Sequence, residues 1–208
     1  MLTIHHLDDS RSQRILWLLE ELGQPYEVVH HRRDPITRLA PDVLRHLHPL
    51  GKSPVIEDGG RVIAESGAII DYILRHYGAG RLQPAPTDPR YDQYIHWMHY
   101  AEGSAMPALI IRINVARVGS ASASALPRLD AEVALHLAYL DNALRGSAYV
   151  LGEEFSAADI QLSFVGELAW ARFGVGNYPS IMAWVKRFQA RPGYKAALAR
   201  GGAYSFAF

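Results

Sequence analysis

The chain has 208 residues, of which 49% are hydrophobic and 20% charged, as in an ordinary globular protein. Its 21 basic and 21 acidic residues cancel to a formal net charge of zero, so the basic excess of a nucleic-acid-binding protein is missing. The absence of Cys excludes disulfides, thiolate metal ligands and a cysteine nucleophile. Any thiol chemistry must therefore use a thiol that the substrate brings.

No apolar run approaches the roughly 20 residues that cross a bilayer. The opening sequence MLTIHHLDDS carries acids early and lacks the charged-then-apolar pattern of a secretory signal. We therefore expect a cytoplasmic protein with no nucleic-acid or membrane partner.

Residues 1–78 alternate between strand-like and helix-like segments. In chain order the pattern predicts a strand at Leu2–Leu7, a helix over Arg11–Leu22 that Asp9-Ser10 precedes and Gly23 stops, a strand at Tyr26–His30, a short helix at Pro41–His48, a hairpin turning at Asp58-Gly59-Gly60, and a helix over Ser66–His76. This order, β-α-β, helix, β-β-α, predicts an α/β domain.

Residues 79–88 contain Gly and Pro at the density of a linker. Beyond them the pattern is helical throughout and predicts a second, all-helical domain over 89–208. The expected helices are Pro89–Val118, bent near Gly103 or Pro107, then Leu126–Leu144, Ser156–Phe173, Pro179–Gln189 and Pro192–Arg200. In FSAADI, Ser156 and Asp159 have the spacing of a capping box, which predicts a structural rather than a chemical role for Asp159.

The stretch from His48 to Leu74 holds the most chemistry. Ser53-Pro54 leads into a strand, and the pair Glu65-Ser66 opens an apolar helix. The first turn of a helix has unpaired N–H groups that attract anions, while Glu65 supplies a partner for an ammonium group. The pattern indicates a site for an extended peptide that carries carboxylates.

Five segments together resemble the cytosolic glutathione transferase family over nearly the whole chain: SRSQRILWLLEEL, HPLGKSPVIED, AESGAIIDYI, FSAADI and YPSIMAWVKRFQARPGY. The resemblance implies a thioredoxin-like N-terminal domain, a C-terminal α-helical bundle and a homodimer. The form of the first segment is most similar to bacterial and fungal members without a simple Tyr or Cys class.

The resemblance also implies a set of ligand-binding residues. Pro54 corresponds to the cis-proline of the family, and the backbone of Ser53 pairs with the cysteinyl part of glutathione. Glu65 and Ser66 hold the γ-glutamyl amine and carboxylate, and Lys52 lies near a carboxylate of the tripeptide.

A free thiol has a pKa of about 8.5, so a transferase must favour the thiolate. Ser10 is the candidate hydroxyl, because it matches the serine-type position of the family at a helix start, where a hydrogen bond and the helix dipole favour an anion. Ser10 and Gln13 also have capping-box spacing, so a purely structural cap is the equal alternative. Ser12 is a second candidate hydroxyl, and Arg11 adds positive potential. No Tyr lies in the first 25 residues, and His5 is expected to be structural.

The electrophile is expected between the two domains, against aromatic and thioether side chains of the long helix and the C-terminal tail, which adapt to varied apolar ligands. The candidates are Trp97, Tyr100, Met106 and Phe208. The spacing of His96, His99 and Glu102 is too weak to predict a metal site.

The sequence therefore predicts a detoxifying glutathione S-transferase that adds glutathione to small hydrophobic electrophiles, with a glutathione peroxidase side activity. It implies no cofactor beyond glutathione as co-substrate. The alternative is a noncatalytic glutathione-binding or protein-interaction member of the same fold.

Overall fold

A computed structural model describes the backbone of residues 1–208 and every side chain except that of Ser122. The first part of the chain contains these elements: β1 Thr3–Leu7, α1 Ser12–Leu22, β2 Glu27–His31, α2 Val43–Leu47, β3 Val55–Asp58, β4 Arg61–Ala64 and α3 Ser66–Tyr77. The predicted order of elements is confirmed. Gly23 ends α1 in the left-handed conformation, with φ 64°, as the sequence predicts.

The four strands form one mixed sheet in the order β2-β1-β3-β4. The β1–β2 pair is parallel, and the β1–β3 and β3–β4 pairs are antiparallel. The β3–β4 hairpin turns at Gly59 and Gly60, whose φ angles of 54° and 81° are easily reached only without a Cβ. This sheet confirms the predicted thioredoxin-like domain.

The rest of the chain is helical, as predicted. It contains α4 Tyr91–Tyr100, a π-helical turn at Ala101–Ala105, α5 Met106–Ala116, a 3₁₀ turn at Gly119–Ser122, α6 Leu126–Ala143, α7 Ala157–Phe173, α8 Pro179–Gln189 and α9 Pro192–Gly201. The π turn falls where a bend was expected, because Pro107 has no N–H to bond back one turn. None of the described helices is long and apolar enough to cross a membrane.

The chain divides into two compact units. The first unit contains residues 1–85 together with 188–208, and the second contains 86–187. The C-terminal residues join the first unit because the Trp17 ring packs against Phe188 and Tyr194, with ring centroids 5.4 and 5.3 Å away. Arg191 adds an ion pair to Glu21, with both N···O distances 2.8 Å.

The capping box at the start of α7 is confirmed. Ser156 is the N-cap, and the Asp159 carboxylate accepts from the backbone N–H of Ser156 at 3.0 Å. The same buried carboxylate accepts from the indole of Trp184 at 2.9 Å and from the N–H of Val150 at 3.0 Å. Asp159 therefore ties α8 and the loop before α7 to one helix start.

Candidate functional site

Ser10 and Ser12 lie in the turn between β1 and α1, and their side chains contact each other. Their Oγ atoms are 2.7 Å apart, and Ser12 Oγ is 2.8 Å from Nδ1 of His6 on β1. The backbone N–H of Leu7 donates to Ser12 Oγ at 3.2 Å. All three side chains are nearly buried, with exposed fractions of 5% for Ser10, 0% for Ser12 and 2% for His6. Ser10 is thus the outermost member of a hydrogen-bonded row of three.

The start of α1 shows what Ser10 does locally. The helix begins at Ser12, with Arg11 at the N-cap and no side-chain cap. A capping box would need Ser10 Oγ to accept from the N–H of Gln13. Instead, Ser10 Oγ accepts from the N–H of Ser12 at 3.2 Å. The Ser10 hydroxyl therefore hydrogen-bonds Ser12 and does not form the capping box expected with Gln13.

His6 is electrically neutral near pH 7. Burial, with the nearby rings of His30 and His31, lowers its pKa to about 4, while Asp8 and a hydrogen bond with the Gly201 backbone partly oppose them. The sequence analysis did not single out His6. Successive side chains of a strand point to opposite faces, so the His6 ring lies on the strand face opposite that of His5. This alternation is the sequence signal that could have identified His6.

An arginine on the far side of the turn fixes the residues before Ser10. Arg33 donates from Nε to the carbonyl of Asp8 at 2.8 Å and from Nη2 to that of Asp9 at 3.3 Å. Arg38 pairs with the Asp9 carboxylate at 3.1 Å. The pKa of Arg33 is lowered by burial and by the charge of Arg38, while Asp9 and Asp8 oppose this and Arg11 adds to it, so the turn holds both cations and carboxylates. Arg33 was not among the residues predicted from the sequence.

The Ser53–Pro54 peptide bond is cis, as the resemblance implied, and it leads directly into β3. The Ser53 hydroxyl donates to the carbonyl of His5 at 3.0 Å, which joins this turn to β1. Pro54 is buried and Lys52 is exposed. Lys52 is thus free to meet a solvent-facing ligand.

The start of α3 presents an unusual backbone. Glu65 precedes the helix with φ 71° and ψ 118°, a region that costs a non-glycine residue free energy and that is common at binding sites. Its side chain is exposed and does not cap the helix. Ser66 is buried, and its Oγ accepts from Arg14 Nη1 at 3.1 Å, which joins α3 to α1. The first N–H groups of α3 therefore lie beside an exposed carboxylate.

The C-terminal tail lies against the same turn as Ser10. The Asp9 carboxylate accepts from the backbone N–H and the hydroxyl of Ser205 at 2.8 and 2.9 Å. Gln189 donates to the Phe206 carbonyl and accepts from the Phe208 N–H, both at 3.0 Å. Phe206 is buried, whereas Phe208 is 63% exposed.

The candidates on the long helix occupy different environments. Trp97 and Met106 are buried, and the indole N–H of Trp97 has no hydrogen-bond partner among the described residues. The Tyr100 hydroxyl lies 2.8 Å from Nδ1 of His136 and 3.3 Å from the His136 carbonyl oxygen, and the His136 ring lies 3.4 Å from Glu132. Burial raises the pKa of Tyr100. Its hydroxyl is thus already committed to His136, a partner that the sequence analysis missed.

A second histidine cluster crosses the sheet. His5 lies 3.0 Å from His31 and 2.7 Å from Glu57, which gives His5 two partners within the fold. This agrees with the structural role expected for His5. Among the described side chains there is no group of three or more His, Cys, Asp or Glu residues that could hold a metal ion.

Comparison with known proteins gives matches over both units. The family model for the glutathione S-transferase N-terminal domain matches residues 4–84, and that for the C-terminal domain matches residues 96–192. Glutathione S-transferase 3 of Schizosaccharomyces pombe is 34% identical, over 95% of this chain and 86% of the relative. Glutathione S-transferase 1 of Saccharomyces cerevisiae is 31% identical, over 95% of this chain and 94% of the relative.

Solved structures agree with these matches. The crystal structure of a glutathione S-transferase from Actinobacillus pleuropneumoniae has a TM-score of 0.92 and 32% identity, covering 99% of this chain and 95% of that one. A sphingomonad glutathione S-transferase complexed with glutathione has a TM-score of 0.78 and 27% identity, covering 97% of this chain and 100% of that one.

Proposed function

The chain belongs to the glutathione S-transferase family and is a glutathione transferase, and we propose that it joins glutathione to small hydrophobic electrophiles with the site around Ser10, Ser53 and Ser66. Glutathione is a substrate in this reaction.

The observation that carries the proposed binding site is the start of α3. Glutathione ends in a γ-glutamyl group that has one ammonium and one carboxylate. The exposed Glu65 carboxylate suits the ammonium, and the uncapped N–H groups after it suit the carboxylate. Lys52 is an exposed cation for the second carboxylate of the tripeptide. The turn at Ser53 and Pro54 is proposed to pair with the cysteinyl backbone.

Ser10 is the proposed thiol-facing group, with Arg11 adding positive potential. A hydroxyl that donates to sulfur favours the thiolate over the thiol. Arg11 acts in the same direction, because positive charge stabilises an anion, whereas Arg33 and Arg38 lie beside the carboxylates of Asp8 and Asp9. The proton of the thiol passes to solvent, and the sulfur then attacks the electrophilic carbon; with an aromatic halide, the carbon–halogen bond breaks and the halide ion leaves to solvent.

Trp97, Tyr100, Met106 and Phe208 are the proposed contacts of the electrophile. Exposed Phe208 offers an apolar surface, and the indole N–H of Trp97 offers a hydrogen bond that no other described residue uses. Tyr100 is proposed to contribute its ring, since its hydroxyl is held by His136. A peroxidase side activity would use the same thiolate.

Binding and turnover are tested separately. Calorimetry with reduced glutathione measures binding, and conjugation of an aromatic halide, followed by absorbance, measures turnover. Binding together with a saturable rate supports the proposal. Binding without turnover over a broad panel of electrophiles would contradict the proposed reaction, and absence of binding at millimolar glutathione would contradict the site.

The assembly and the location are separate proposals that rest on the family. We propose a homodimer in the cytoplasm. Sedimentation of the purified chain measures its mass in solution, and a monomer at micromolar concentration would contradict the dimer.

A further inference from the structure

The direction of the hydrogen bonds from His6 to Ser10 can be assigned from chemistry. The His6 ring hydrogen-bonds the backbone of Gly201, and a Cβ at Gly201 would lie 3.2 Å from Nε2. A hydrogen bond from the ring to a backbone carbonyl needs a proton on Nε2, because the carbonyl only accepts. The ring is neutral, so Nδ1 carries no proton and must accept.

Ser12 has only one hydroxyl proton to give. Donation to His6 Nδ1 at 2.8 Å is shorter than donation to the carbonyl of Leu7 at 3.3 Å. Donation to Leu7 would also leave the buried Nδ1 lone pair without a donor, which costs free energy. The Ser12 proton therefore points to His6, and Ser12 Oγ accepts from the Leu7 N–H and from Ser10.

The proton of Ser10 consequently points into the protein. Ser10 Oγ donates to Ser12 Oγ at 2.7 Å and accepts from the Ser12 N–H at 3.2 Å. What remains on Ser10 is a lone pair. A lone pair accepts a hydrogen bond from a thiol but repels a thiolate, so Ser10 can stabilise a thiolate only after its proton leaves Ser12.

We propose that Ser12 and His6 are positioning residues for thiol ionisation, which hold the Ser10 proton inward and make the sulfur compete with Ser12 for it. The inference rests on the proposed function, since it needs Ser10 beside the sulfur. The thiol proton itself goes to solvent. The charged and titratable groups that face His6 are His30 and His31 on β2 and Asp8 after β1.

One substitution should free the Ser10 proton: Ser12→Ala removes its inward acceptor. It should lower the pKa of bound glutathione by roughly half to one unit, about three- to tenfold more thiolate at neutral pH, the effect of removing one competing hydrogen bond. His6→Asn is the matched control, because its amide oxygen can accept from Ser12 as Nδ1 does, and it should show the wild-type pKa.

The readout is the ultraviolet absorbance of the thiolate against pH on the full chain with saturating glutathione, together with the pH profile of kcat/KM. A purely structural role for Ser12 would change stability without moving this pKa. Ser10→Ala and the Ser10→Ala/Ser12→Ala double variant should share one thiol pKa, because the effect of Ser12 passes through Ser10. An unshifted or raised thiol pKa in Ser12→Ala would overturn the inference. An equal shift between Ser10→Ala and the Ser10→Ala/Ser12→Ala double variant would also overturn it.

Two outcomes are kept distinct. A wild-type chain that binds no glutathione overturns the proposed function and this inference with it. Normal binding and turnover without the Ser12→Ala shift overturns this inference alone. If the variants do not fold, nitrogen-15 NMR of the wild-type His6 ring decides: above its pKa of about 4 we expect a proton on Nε2 and none on Nδ1, and the opposite tautomer contradicts the proposal.

Discussion

Asp9 binds Ser205 through both of its carboxylate oxygens, at 2.8 Å to the backbone N–H and 2.9 Å to the hydroxyl. This contact fastens the C-terminal tail beside Ser10, the residue next to Asp9. The tail ends in the exposed ring of Phe208. The proposed electrophile contact, Phe208, and the proposed thiol-facing hydroxyl, that of Ser10, therefore belong to two segments that are hydrogen-bonded to each other.

The first prediction concerns the tail. Phe208→Ala should raise the KM for a bulky apolar electrophile about tenfold, the effect of losing much of the burial of one aromatic ring. Ser205→Ala, which removes one of the two bonds to Asp9, should have a smaller effect. Steady-state kinetics with a series of aromatic halides measures both, and the Kd for glutathione serves as the control. Equal KM values across the series would remove Phe208 from the electrophile site.

The second prediction concerns Ser10. Ser10→Ala should lower kcat/KM by about 10- to 100-fold, because a hydrogen bond to a charged group contributes roughly 1.5–3 kcal/mol. The pKa of the bound thiol should rise correspondingly, as its absorbance against pH will show. Calorimetry should find the Kd for glutathione within a few-fold of wild type. A full conjugation rate in this variant would favour the backbone N–H groups or Arg11 as the source of activation.

The third prediction concerns Glu65. Glu65→Gln should weaken glutathione binding about 10- to 100-fold, since it replaces a charged acceptor of the ammonium by a neutral one. The dipeptide Cys-Gly lacks the γ-glutamyl group and should bind the variant and the wild type equally. Calorimetry with both ligands makes the comparison. If Cys-Gly loses as much affinity as glutathione, Glu65 acts on the fold rather than on the γ-glutamyl group.

The fourth prediction concerns Asp159. Asp159→Ala removes the cap and leaves the buried N–H groups of Trp184 and Val150 without their acceptor, so the free energy of unfolding should fall by about 2–4 kcal/mol. Urea denaturation measures the loss. Activity per folded molecule should stay near wild type, and Asp159→Asn, which keeps one oxygen, should lose less. A normally folded but inactive variant would contradict the structural role.

The fifth prediction concerns pH. The pKa of His6 is about 4 in the folded chain and about 6.5 when unfolded, so the unfolded state binds the proton first as pH falls. The contribution of neutral His6 to the free energy of unfolding is fully present above pH 6.5. It is lost as the pH falls from 6.5 to 4, which lowers the free energy of unfolding by about 3 kcal/mol. His6→Asn should remove this component. The measurement is the free energy of unfolding of the wild type and of His6→Asn as a function of pH over this range. Parallel curves for the two proteins would contradict the prediction.

The sequence predicts best what neighbouring residues decide. The helix Pro179–Gln189, the capping box at Ser156 and the hairpin at Gly59-Gly60 were all predictable, because each depends on residues within one or two turns. A binding role for Glu65 and Ser66 could be proposed for the same reason, since a polar pair at the start of an apolar helix is visible in the sequence.

Contacts between distant segments could not be predicted in this way. The grouping of residues 188–208 with the first unit depends on Trp17 meeting Phe188 and Tyr194, which no local pattern specifies. The contact of His6 with Ser12 needs the curvature of the turn after β1, and that of Tyr100 with His136 needs the register of two helices. Ser10 and Ser12 could both be named as candidate hydroxyls, but their bond to each other could not.

The packing of Trp17 against Phe188 and Tyr194 has a consequence for synthesis. A ribosome exposes α1 long before it makes α9, so the nascent first unit displays the apolar face around Trp17 while the whole second unit is being translated. An N-terminal fragment that stops at residue 85 lacks the helix that covers this face. Such a fragment should bind chaperones, and residues 188–208, which are translated after the second unit, complete the first unit.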